Sequence, residues 1–155
     1  MLIVPEQIPF AQGTNAASTS RDKKQIVYRN SQYRFCFYLP ADWKGYSIVQ
    51  STWREAEQGP HFGEKGPELR IQNPGWMRET HSADISILIL TPRQWRLAKD
   101  GEILHGAAPV GPSRLGSNSS YVFALPARFS LEIDGDAGWQ EVEEILAENP
   151  LRSPC

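Results

Sequence analysis

Residues 33–39, YRFCFYL, alternate cleanly: Tyr33, Phe35, Phe37 and Leu39 fall on one side, Arg34, Cys36 and Tyr38 on the other. A period of two over seven residues predicts a half-buried strand. Residues 24–29, KQIVYR, alternate more weakly and predict the strand before it. The polar turn Asn30-Ser31-Gln32 between them makes the pair a hairpin. Pro40 ends the second strand, because proline has no N–H to give a ladder. Trp43, in the turn that follows, is placed to plug one end of the core.

Residues 46–53 and 67–72 read as third and fourth strands, the latter turning Leu69 and Ile71 inward. Between them, residues 55–66 are rich in glycine and charge and predict an exposed loop. Residues 73–83 predict another, with Trp76 and Met77 as anchors. Residues 84–90, DISILIL, are nearly all apolar and fit a central strand covered on both faces. Thr91-Pro92 is a helix start, with threonine to cap the free N–H groups and proline at the first helical position. That helix spans 92–100, offers Trp95 and Ala98 to the sheet, and ends before Gly101.

Beyond it, residues 103–108 predict a short edge strand, 109–119 a Pro- and Gly-rich loop, and 120–125 another strand. Residues 138–148 predict a closing helix, with Trp139, Val142, Ile145 and Leu146 on one face and glutamates on the other. Five strands, a helix, two strands and a helix give an α+β fold: a central, mostly antiparallel sheet flanked by helices. Length fits one domain, divided as a flexible leader at 1–22, the domain at 23–150 and a tail at 151–155.

Charge narrows the partners. Sixteen basic and eighteen acidic residues leave a net charge of −2. They are scattered, without the basic stripe that nucleic acid requires or a polybasic membrane patch. The longest apolar run is far short of a membrane span. Residues 1–10 lack the basic start of a signal peptide, although residues 11–22 look like the polar spacer that follows one. Secretion or the cell envelope is the expected location, with the cytoplasm left open. Two cysteines leave two readings. A Cys36–Cys155 disulfide would pin the tail to the sheet; the blander reading is a buried free thiol and a loose terminal one.

The opening also carries a resemblance. Tyr28, then Tyr33, Phe35 and Phe37, then Leu39-Pro40-x-x-Trp43-x-Gly45-Tyr46 resemble the start of Mog1/PsbP-like domains. The likeness covers about 20 residues and implies an α/β/α sandwich around an antiparallel sheet. It also implies a habit of service as non-enzymatic adaptor, assembly factor or accessory subunit. Asn73-Pro74-Gly75-Trp76, Asp84-Ile85-Ser86-Ile87 and residues 121–126 resemble bacterial, often exported, proteins of unknown function that share the corner.

Chemistry is sparse. His61, His81 and His105 show no metal-ligand spacing, and no nucleophile elbow or phosphate loop is present. No cofactor is implied. His81, Asp84 and His105 are the candidates for a small-ligand or hydrolytic site, provided the fold brings them together. Aromatic residues at polar loops give the other candidate. Trp53 with Arg54, and Trp76 with Arg78, have the composition of a protein-binding hot spot. The expected function is thus a non-catalytic interaction or accessory domain with an unidentified protein partner. The alternatives are the site at His81, Asp84 and His105, or a self-assembling subunit that uses its leader. The glutamates of the closing helix read as a solvated face.

Overall fold

The computed structural model describes residues 24–55, 61, 63–77, 83–103, 111–127 and 137–155. The leader at 1–22 lies outside them. The described chain is α+β, with two antiparallel sheets and two short helices. The smaller sheet has the order β1-β2-β8, formed by Gln25–Asn30, Phe35–Pro40 and Leu151–Arg152. The larger has the order β3-β4-β5-β7-β6, formed by Ser47–Arg54, Lys65–Gln72, Ile85–Leu90, Ser113–Ser117 and Val122–Leu125.

The hairpin forms as its alternation predicts, from Gln25↔Pro40 to Asn30↔Phe35. Its turn is held by the Asn30 side chain, which accepts from the Tyr33 N–H at 2.8 Å. Arg34 closes it at φ 61°, a left-handed conformation that costs a non-glycine residue roughly 1–2 kcal/mol. Compensating contacts surround Arg34. Its carbonyl accepts from the Ser153 hydroxyl at 2.7 Å, and its guanidinium donates to Ser119 and Ser120.

After Pro40 a 3-10 turn at Ala41–Trp43 redirects the chain, and Gly45 follows at φ 94°. The sharp corner explains why the sheet divides. β3 does not continue the hairpin but pairs with β4, from Ser47↔Gln72 to Arg54↔Lys65. Phe35, Phe37 and Leu39 of β2 pack on Ile71, Ile85, Ile87, Ile89 and Phe123 of the larger sheet, and Val142 and Ile145 of α2 (Ala137–Ala147) complete that core. Phe35 and Phe123 meet with ring centroids 4.8 Å apart.

β5 is covered on both faces, as its apolar run predicts. Ile85, Ile87 and Ile89 enter the first core, whereas Leu88 and Leu90 enter a second with Trp53, Ala98 and Ile103. Helix α1 (Pro92–Lys99) lies over this second core. Thr91 and Gln94 form a reciprocal capping box, Gln94 N–H to Thr91 Oγ1 at 3.1 Å and Thr91 N–H to Gln94 Oε1 at 3.0 Å. Ala98 faces inward as expected. Gln94 is buried too, which its apolar spacing does not announce.

The single central sheet expected from the sequence is thus two sheets, and three further expectations change. The loop predicted at 109–119 contains strand β6, paired to β7 with a bulge between Arg114 and Gly116. Gly116 belongs there through close approach rather than looseness: a Cβ on it would stand 2.8 Å from Leu151 Cδ2. Residues 151–155, set apart as a tail, carry β8, which pairs Cys36↔Arg152 and Phe37↔Leu151. That strand brings Cys155 beside Cys36, and the two are disulfide-bonded with Cα atoms 5.7 Å apart. The free-thiol reading therefore fails. The edge strand expected at 103–108 falls, after Ile103, outside the described residues.

Candidate functional site

The loop rims were the expected surface, and their described parts are committed to structure. Trp53 is only 4% exposed. Its indole N–H donates to the Ile89 carbonyl at 2.9 Å, so it is a core residue and not an exposed hot spot. The fit is tight, since a Cβ on Gly66 would stand 2.6 Å from Trp53 Nε1. Arg54 is exposed at the end of β3. The Trp76 backbone lies in a 3-10 turn at Pro74–Met77. The Trp76 side chain and Arg78 lie outside the described part of the molecule, so the pairing of Trp53 with Trp76 as one aromatic surface loses its first member.

Asp84 likewise has a structural duty. It accepts from the Asn73 N–H at 2.9 Å and stands 3.6 Å from Arg70 Nε. His81 and His105, its proposed companions, lie outside the described residues. His61, the remaining histidine, meets Glu102 at 2.7 Å. It clasps the chain just ahead of β4 to the segment after α1. At the other end of that helix, Glu64 accepts from the Arg93 guanidinium and from Gln94 Nε2. Hydrogen bonding by Arg93 and Gln94 holds the Glu64 carboxyl below its ordinary range, against a smaller opposing effect of burial. Glu55 is buried at 7% exposure, with one oxygen receiving the His61 N–H at 3.3 Å. Its Oε2 has no hydrogen-bond partner among the described residues. No group of three or more His, Cys, Asp or Glu among the described residues has a geometry that would hold a metal ion.

A different surface has the shape of a site. Between α2 and the outer face of the smaller sheet lies a cleft of about 1060 Å³. Alternation along β1 and β2 builds one wall. Gln25 and Tyr38 point away from the core that Ile26, Phe37 and Leu39 enter, and Lys24 and Arg152 flank them. The helical period builds the other wall. With Val142 turned into the core, Glu141, Glu144 and Glu148 line the cleft, and Ile145 lies at its base. Pro40, Ala41 and Pro150 add apolar surface, and Asp42 stands at one end.

The two walls are tied together. Trp43, 1% exposed, donates from Nε1 to Glu141 Oε1 at 2.9 Å. The Tyr38 N–H donates to the Pro150 carbonyl at 2.9 Å. The disulfide then fixes β8 beneath them. The cleft thus rests on a strand pair, a helix and a crosslink.

The sequence alone does not announce this surface, because the α2 glutamates read as a solvated face. The available signal was the spacing of Glu141, Glu144 and Glu148 without a lysine or arginine anywhere in the helix. Among the described residues no helix is long and apolar enough to cross a membrane. Compared with family models, with curated proteins and with solved structures, the chain matches none.

Proposed function

We propose that this chain is a non-catalytic interaction or accessory domain of an exported or cell-envelope protein, and that it holds a segment of a partner protein in the cleft beside α2. The observation that carries the reading is the cleft itself: an apolar base of Tyr38, Pro40, Ile145 and Pro150 between charged rims, built on regular elements. Concave, partly apolar surfaces with a few placed polar groups are where binding concentrates. The Cys36–Cys155 bond supports that compartment, because structural disulfides persist in oxidising environments. The Mog1/PsbP-like α/β/α reading is supported by the β1–β2 hairpin, by the buried Trp43 corner, and by helices that pack on separate cores.

A photo-crosslinking amino acid at Ala147, in the cleft, tests the reading against the same group at Ser51, exposed on β3. Cells that make the protein should yield one discrete adduct from position 147 and none from 51. The proposal fails if position 147 gives no adduct, or if both positions give the same one.

A further inference from the structure

We infer that the occupant of the cleft is a cationic, extended stretch of polypeptide, with lysine or arginine side chains interleaved with apolar ones. The inference rests on the reading of the cleft as a partner-binding surface and adds the chemistry of what binds. Its basis is an electrostatic arrangement that the described residues leave unbalanced. Glu141 and Glu144 on α2, and Glu148 one residue past its end, stand at i, i+3 and i+7, and all three line the cleft. Side chains three and four apart on a helix are neighbours, and like charges there work against the helix. Nothing on α2 offsets them, because its sequence AGWQEVEEILA has no basic residue. Glu148 follows directly on the last helical residue, where the partial negative charge of the helix terminus opposes a carboxylate.

The rest of the described domain does not neutralise them either. Its ion pairs are His61–Glu102, Arg70–Asp84 and Arg93–Glu64, and none draws on the α2 carboxylates. Glu141 has one neutral donor, the Trp43 indole. Among the described lining residues Asp42 brings the carboxylates to four, against Lys24 and Arg152 as the two cations. The excess is acidic and lies along one wall, so it selects a cation and repels phosphate-rich surfaces. The base selects further. Tyr38, Pro40, Ile145 and Pro150 offer apolar surface that a free metal ion or small amine would leave exposed to water. Lys24 and Arg152, on the opposite wall, face the main-chain carbonyls that an extended segment presents. A volume of about 1060 Å³ stands at the upper end of ordinary ligand sites and has room for several residues of such a segment.

Fluorescence anisotropy on the full chain provides the test. The probes are a labelled decapeptide that alternates lysine with proline and tyrosine, and the same peptide with glutamate in place of lysine. The lysine peptide should bind at least about tenfold more tightly, a margin that narrows as added salt screens the charges. The double variant Glu144→Lys with Glu148→Lys should lose the preference while its melting temperature stays level or rises, because it relieves repulsion on α2. A purely solvated face would leave binding unmoved by that variant. Equal binding of the two peptides, a preference that survives in the double variant, or no binding of either peptide overturns the inference. The crosslinking comparison of Ala147 with Ser51 uses the native partner and not these peptides, so it decides the broader reading separately.

Discussion

The indole nitrogen of Trp43 lies 2.9 Å from Glu141 Oε1, joining the corner after β2 to a helix 98 residues further along the chain. Trp43 is also among the largest fully buried side chains. Two effects therefore separate by substitution. Trp43→Phe keeps much of the apolar volume but removes the donor, and should cost about 1–3 kcal/mol. Trp43→Ala opens a cavity as well and should cost about 3–5 kcal/mol. Glu141→Gln retains an acceptor oxygen and should cost less than either. Urea unfolding of the three variants checks the order; a harmless Trp43→Phe would mean that the hydrogen bond contributes nothing.

The disulfide makes a second expectation local as well as global. Cys36 and Cys155 are separated by 119 residues, and closure of so long a loop restricts the unfolded chain by about 4–5 kcal/mol in the chain-entropy picture. Cys36→Ser with Cys155→Ser should therefore lose about 2–5 kcal/mol. It should also loosen β8 before the rest of the fold. The Tyr38 amide, which donates to Pro150 at 2.9 Å, reports on that step. Its hydrogen exchange should accelerate more than that of the Ile87 amide in central β5. Equal acceleration at both would show that β8 has no separate dependence on the crosslink.

These elements also show where sequence reading succeeds and stops. β2, β5 and α1 were legible because each carries a periodic pattern, and the α1 start is written in Thr91 and Pro92. The division into two sheets was not. A period of two fixes which face of a strand is buried, not which neighbour it pairs with, and the corner at Ala41–Trp43 decides that. β6 was missed because Gly116 reads as a loop residue, although its function is to admit Leu151. The disulfide depends on the two-residue strand β8, too short to have a period. The cleft was missed for a related reason. A row of glutamates on a helix means solvent unless one knows that Tyr38 and Pro150 lie across from it.

Two glycines give a third expectation. A Cβ on Gly66 would meet Trp53 Nε1 at 2.6 Å and the Ile89 carbonyl oxygen at 2.9 Å. A Cβ on Gly116 would meet mainly Leu151 Cδ2, at 2.8 Å. The leucine terminus can shift, whereas the carbonyl belongs to the central strand and accepts the Trp53 indole N–H. Gly66→Ala should therefore be the worse of the two, at the upper end of the about 1–3 kcal/mol typical of overpacking or beyond it, with Gly116→Ala nearer the lower end. Thermal unfolding ranks them. The reverse order would mean that the Trp53 site relaxes more easily than its neighbours imply.

The last expectation concerns acid. The Glu64 carboxyl is held below its ordinary range, chiefly by hydrogen bonds from Arg93 and Gln94. A group whose folded pKa is depressed binds its proton more readily in the unfolded chain. Its contribution to stability is therefore complete above the unfolded value and is lost as pH falls through the lower, folded one. The window lies below the ordinary glutamate value of 4.5. Glu64→Gln removes the titration, so its stability should fall less steeply than that of the parent as pH drops below that ordinary value. Arg93→Ala removes the largest cause and should flatten the same limb in part, because the Gln94 Nε2 contact at 2.9 Å remains. Urea midpoints at several pH values separate the cases. Parallel curves for parent and Glu64→Gln would show that the clasp between Glu64 and α1 plays no part in acid stability.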